Sequence, residues 1–201
     1  MVKDVLFSAI LVAANQDLLE IAEVAGAPED ERVEISAWIE RGRTGLENSW
    51  SPDLGLCLDY DLRRDALLEA RTVAGFAPLA AGAPGRLESL LRTLYSPDFL
   101  GHLKLRWPLP PSTSPTEARF HPRSYWRGPV WPVLSWLLWR GLAGAGERER
   151  AEVLRRTALD QLSEGGFAEY FEPFTGEALG SDDQSWTAAV ALDWLARDAE
   201  P

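Results

Sequence analysis

SYWRGPVWPVLSW, residues 124–136, divides into two parts at Pro132. Before it, Tyr125, Trp126, Arg127 and Trp131 crowd together, with Gly128 and Pro129 fixing the backbone between them. From Pro132 onward the pattern is that of an apolar helix, and proline suits a first helical position because the amide it lacks has no partner there. A loop that gathers three rings and a guanidinium and then runs into a helix predicts a helical scaffold with its working groups on loops. Planar rings beside a fixed donor fork suit a polar ligand with apolar faces, a sugar among them.

Downstream, the spacing predicts helix to about Leu142, then a charged-faced helix from Glu147 to Ser163 with Glu147–Arg150 as its solvated start, stopped by Gly165 and Gly166. Phe167 to Phe171 reads as extended, Pro173, Thr175 and Gly176 as a turn, and Ser185 to Arg197 as a last helix capped by Asp182 and Asp183. Upstream, six prolines between Pro97 and Pro122 make residues 96–124 a long non-helical loop, and long ordered loops are often functional. Before it come a short helix through Phe76, Leu79 and Ala81 with Pro78 in its first turn, and one from Pro84 or Gly85 carrying Leu87, Leu90, Leu91 and Leu94. Residues 51–71 show turn chemistry and alternation, so a hairpin excursion is expected there. The N-terminal part reads as a helix over residues 4–25 and a second from about Pro28 to Trp50, an antiparallel pair.

Seven helices, mostly paired and without a close sequence repeat, predict an all-α single domain over residues 1–201 with short extended excursions, an α/α toroid in one dimension. A closed ring of six helix pairs needs roughly twelve helices of about 11 residues each, so the chain holds little more than half a ring.

A formal net charge of -11 excludes nucleic acid and anionic membranes as expected partners, since both are held by clustered Lys and Arg. Nine tryptophans are the unusual feature; Trp38, Trp136, Trp139 and Trp194 read as packing residues, and Trp186 as either core or cleft. Cys57 is the only cysteine, which fits a reducing compartment. The N-terminus has polar interruptions and no basic leader, so neither secretion nor a membrane span is expected and the cytoplasm is the default. His102 and His121 have no ligand companions at useful spacing, so neither a metal nor a cofactor is expected.

GFAEYFEPFTG, residues 166–176, is the second informative stretch. On an extended backbone the rings of Phe167 and Phe171 share the face of Glu169, where they would desolvate its carboxylate and raise its pKa, as a general acid or base requires. Glu172 faces the other way and reads as a solvated or turn residue.

Together with QSWTAAVALDWL at 184–195 and RTVAGFAPLAAG at 71–82, these motifs resemble the C-terminal part of glycoside hydrolase family 63, and within it the bacterial mannosylglycerate and glucosylglycerate hydrolases. The resemblance implies a partial (α/α)6 barrel and inverting hydrolysis of an α-glycosidic bond in a small carbohydrate substrate. It makes Glu169 the general base, places Tyr125, Trp126 and Trp131 along sugar and aglycone subsites, and makes Gln184 a polar substrate contact, with Trp186 beside the cleft. Arg127 matches the motif too, as a substrate contact or as a brace on backbone carbonyls.

Two departures stand out. Val133 and Ser135 occupy the places where the family carries Asn, and the family's general acid, an Asp in an Asp-Asn-Ser-Pro type motif, has no counterpart. The nearest string, Glu47-Asn48-Ser49-Trp50, falls too late in the family's order, and Asp53, Asp59, Asp61 and Asp65 lie in the wrong segment. The expectation is a fragment lacking one catalytic carboxylate, inactive alone and able to associate through the open edge of an incomplete barrel. The alternative is a noncatalytic helical module that binds carbohydrate or a partner chain.

Overall fold

The computed structural model describes residues 1–82 and 84–196, mostly helical with two-residue strands at the turns. After β1 (Val2–Lys3), Asp4 caps α1 (Val5–Val24) by accepting the Phe7 amide at 2.9 Å. The chain reverses at Gly26, in the left-handed region at φ 69°, and α2 (Glu29–Glu47) packs back along α1. Glu29, Asp30 and Glu31 lie in its first turn, favoured by the helix dipole. At the crossing, a Cβ on Gly42 would lie 2.3 Å from a Val12 methyl carbon, so only glycine lets the helices approach this closely.

Helix α2 stops at Glu47, short of the expected Trp50, because Trp50 pairs with Cys57 across the hairpin of β2 (Trp50–Ser51) and β3 (Leu56–Cys57). β4 (Tyr60–Asp61) and β5 (Ala66–Leu67) then form an antiparallel sheet in the order β1-β4-β5. The helix expected through Phe76 and Ala81 is a 3-10 helix, Val73–Leu79. Pro78 lies inside it and has no amide for an α-helical bond. α3 (Leu87–Leu94) follows. The proline-rich loop is tied in by bridges from Thr72 to Thr113 and from Pro111 to Val130.

The last third contains α4 (Pro132–Gly144), α5 (Arg148–Gly165), the hairpin of β6 (Tyr170–Phe171) and β7 (Ala178–Leu179), and α6 (Ser185–Ala196). Arg197, the expected end of α6, lies outside the described residues. Neither Asp182 nor Asp183 caps α6 among the described residues. The chain enters it through Gln184, whose amide bonds to the Phe167 carbonyl at 2.8 Å and whose carbonyl accepts from Ala188 at 3.1 Å.

Contacts arrange these elements in two rows. α1, the 3-10 helix, α4 and α6 pack one on the next, while α2, α3 and α5 each pack behind a member of that row. The core lies between them, with Phe76, Leu134, Leu138, Leu154 and Trp194 in one cluster and Val5, Val12, Ile35 and Ile39 in another. Trp139 meets Trp194 edge-on at 6.5 Å, and Trp136 donates its indole N–H to Asp193 at 2.7 Å, joining α4 to α6. Trp38, expected to be a packing residue, is 40% exposed. Ile35, Ile39 and Leu46 seat α2, and Trp38 projects about 100° around the helix from Ile39. By length and composition α1 is apolar enough to cross a membrane, which the polar interruptions near the N-terminus did not foreshadow.

Candidate active site

The two motifs singled out in the sequence are hydrogen-bonded to each other. Val130 and Phe171 exchange both backbone bonds, at 2.8 and 2.9 Å, so the loop before α4 and the hairpin β6–β7 form one platform. The hairpin is closed by Glu172, which is a turn residue but not a solvated one. Only 5% exposed, it accepts from the Phe174 amide and the Thr175 hydroxyl, each at 2.8 Å, and from the Thr175 amide. A buried carboxylate is tolerated when donors satisfy it, and here the turn supplies three.

Glu169 stands where the chain enters the hairpin. Its amide bonds to the Ser181 carbonyl at 2.8 Å, its Oε2 accepts the Ser181 amide at 3.2 Å, and its Oε1 accepts the Tyr125 hydroxyl at 3.1 Å. Gly180 makes this possible: at φ 78° it is left-handed, and a Cβ there would lie 2.6 Å from Glu169 Oε2 and 2.7 Å from the Tyr170 ring. The rings expected to flank Glu169 go elsewhere. Phe171 is buried in the core against Gly165, and Phe167 is exposed.

Tyr125 reaches Glu169 from a strained backbone, φ 37°, a conformation that costs a bulky residue about 1–3 kcal/mol and persists only when its surroundings enforce it. Three rings do so edge-on: Trp131 at 4.9 Å, Tyr170 at 5.4 Å and Trp126 at 5.8 Å. The bond to the Glu169 carboxylate pushes the Tyr125 phenol above the usual tyrosine value, so the hydroxyl stays a donor.

Trp126 stacks on Trp131 at 4.1 Å with planes 5° apart, and Trp131 stacks on Tyr170 at 4.7 Å. Trp131 is therefore fully buried, with its indole N–H on the Tyr125 carbonyl at 3.3 Å; it backs the site instead of lining it. Trp126, Tyr125 and Trp186 present exposed ring surface, and Trp186 meets Trp131 edge-on at 6.1 Å. Half-buried Gln184 has no side-chain hydrogen bond among the described residues.

Arg127 braces its own loop through a hydroxyl, not through backbone carbonyls: Nε and Nη2 donate to Ser124 Oγ at 3.2 and 3.0 Å. Arg123, paired with Glu177, straps the same loop to the hairpin and holds the Glu177 carboxyl below its ordinary range. Ser135 is buried with no partner for its hydroxyl among the described residues, and Val133 is half-buried. His102 and His121 each accept a nearby backbone amide at Nδ1.

Sequence reasoning missed Tyr170, Gly180 and Ser181 as parts of this site. Alternation places Tyr170 opposite Glu169, yet the loop carrying Trp131 folds over it. The Gly180-Ser181 pair lies between the turn at Gly176 and the last helix, and nothing in its spacing points to Glu169.

Paired helices in two rows, with a donor-held carboxylate beside stacked rings on the loops, define a helical protein of the α/α type. More narrowly, the chain belongs to the mannosylglycerate hydrolase MGH1-like glycoside hydrolase family, whose domain model matches residues 1–187. It is 48% identical over 196 residues to a glucosylglycerate hydrolase of Mycolicibacterium hassiacum, covering 96% of this chain and 44% of that protein. A mannosylglycerate hydrolase of Thermus thermophilus is 39% identical over 195 residues, covering 96% and 45%. The crystal structure of a GH63 mannosylglycerate hydrolase from Thermus thermophilus in complex with glucose superposes with a TM-score of 0.88 at 39% identity, covering 96% of this chain and 48% of that one. The 201 residues thus span a little under half the length of these relatives.

Proposed function

We propose that these residues form the base-bearing part of an (α/α)6-barrel glycosidase that hydrolyses, with inversion, the α-glycosidic bond of a small glycoside such as glucosylglycerate or mannosylglycerate. The observation that carries this reading is Glu169, whose oxygens are each held by one donor and each keep a lone pair for a water proton. Glu169 takes that proton as the water oxygen attacks the anomeric carbon. The bond to the glycerate oxygen breaks on the opposite face, where a carboxylic acid roughly 6.5–9.5 Å from the base protonates the leaving group. The exposed faces of Trp126, Tyr125 and Trp186 provide the sugar platform, and the uncommitted amide of Gln184 a polar contact. The row α1, 3-10 helix, α4, α6 supports part of a ring, and the single buried Cys57 suits a cytoplasmic setting.

No Asp-Asn-Ser-Pro type motif occurs in the sequence, so the acid belongs to the rest of the fold. The purified 201-residue chain is accordingly expected to release no sugar from glucosylglycerate or mannosylglycerate over the uncatalysed background, measured by proton NMR of the products. Robust turnover by the chain alone, abolished in Glu169→Gln, would contradict this division of the catalytic pair.

A further inference from the structure

Two buried threonines hold the peptide units that carry the working side chains of the site. A peptide unit is planar, so one bond to its carbonyl and another to its N–H fix its rotation, and with it the direction of the adjoining side chains. The unit between Ala168 and Glu169 is held in this way. Its carbonyl accepts the Thr187 hydroxyl at 2.9 Å, and its N–H donates to the Ser181 carbonyl at 2.8 Å. Thr187 is fully buried in the first turn of α6, and one unit earlier the Phe167 carbonyl accepts the Gln184 amide at 2.8 Å. The start of α6 therefore sets where Glu169 leaves the chain.

The proline-rich loop does the same for the rings. The unit between Trp126 and Arg127 is held at its carbonyl by the Thr113 hydroxyl at 3.0 Å and at its N–H by the Ser124 carbonyl at 2.7 Å. In the next unit the Arg127 carbonyl accepts the His121 amide at 2.7 Å, and the Gly128 amide donates to Ser112 Oγ at 3.0 Å. A Cβ on Gly128 would lie 2.4 Å from the His121 carbonyl oxygen, so the two stretches of backbone are in direct contact. Ser112 and Thr113 are buried, whereas the Trp126 ring above them is exposed.

We propose that Thr187 and Thr113 are positioning residues with separate tasks, Thr187 registering the Glu169 carboxylate and Thr113 the Trp126 sugar platform, an assignment that rests on Glu169 being the base and Trp126 a sugar surface. The two hydroxyls then act on different kinetic constants. A base works only in the transition state, so its misplacement falls on kcat, by about 10²-fold for a shift of about 1 Å. A ring that supports ground state and transition state alike acts on KM. Loss of a donor to a buried carbonyl favours rotation of that peptide unit toward another donor.

The test uses Thr187→Val and Thr113→Val, which keep the side-chain shape and remove the donor, with Thr187→Ser and Thr113→Ser as rescue. Kinetics are measured on the chain assembled with the unmatched part of the Mycolicibacterium hassiacum glucosylglycerate hydrolase, and structures on the 201-residue chain itself. Thr187→Val is expected to lower kcat for glucosylglycerate about 10- to 100-fold at nearly constant KM. Thr113→Val is expected to raise KM about 5-fold, the net worth of one hydrogen bond, at nearly constant kcat. Each Ser variant keeps the hydroxyl and should restore the affected constant. Crystal structures of the Val variants, which need no turnover, should show Glu169 moved off the Ser181 amide in the first and the Trp126 ring tilted off Trp131 in the second, each with the other group in place. Constants that move together with a lowered unfolding midpoint mark a merely structural role and overturn the proposal. So do Ser variants that fail to restore the constants, or structures with both groups in their parent positions. If the parent assembly hydrolyses neither glucosylglycerate nor mannosylglycerate, the glycosidase reading falls and the two structures alone decide the positioning roles.

Discussion

Replacing Glu169 by Gln, in the chain assembled with the acid-bearing part of a relative, is expected to lower kcat for glucosylglycerate by about 10²–10⁴-fold, the usual contribution of a positioned general base. KM and the unfolding midpoint should stay close to those of the parent. The amide keeps the shape of the carboxylate but cannot take a proton from water, so the loss falls on the chemical step. Gln has one acceptor oxygen where Glu169 meets two donors, the Ser181 amide and the Tyr125 hydroxyl. The hydroxyl can rotate and accept from the new amide, so the local network survives. Initial rates by coupled glucose detection, with thermal unfolding alongside, check both halves; a kcat near that of the parent would remove Glu169 from the chemistry.

Trp131→Ala is expected to be the most damaging single change to stability, lowering the unfolding free energy by about 3–5 kcal/mol. The indole is fully buried between Trp126 and Tyr170, forms one edge of the contact that holds Tyr125, and donates to the Tyr125 carbonyl. Its removal opens a cavity at the junction of loop and hairpin and frees Tyr125 to leave its left-handed conformation. A domain of this size is stabilised by only about 5–15 kcal/mol, so the variant should show a large fall in the urea midpoint. Trp126→Ala, at a ring that is 45% exposed, should cost far less. A Trp131→Ala midpoint within error of the parent would mean that the stack does not hold the site together.

These two residues also show how far the sequence could be read. Around Glu169 the extended piece and the turn at Pro173–Gly176 were legible in GFAEYFEPFTG, but the returning strand β7 was not, and the strand itself is only Tyr170–Phe171. Trp131 was legible as part of the site but not as its buried backing, since a spacing of six residues from Tyr125 does not say which ring lies beneath which. Helices α1, α2, α4, α5 and α6 followed from periodicity because each buries one face. The segment around Pro78 did not, because apolar spacing cannot separate an α-helix from a 3-10 helix once a proline removes the amide. Glu172 was misread because burial of a carboxylate depends on donors that only the folded turn supplies. Trp38 was misread because a tryptophan one position away from a buried row looks like a member of it.

The most direct test of Glu169 as the base opposite a separate acid is the configuration of the first sugar released. Proton NMR of α-glucosylglycerate mixed with the assembled chain, recorded before mutarotation, should show β-glucose appearing first. Initial release of α-glucose would require a covalent or same-face route and would contradict the assignment.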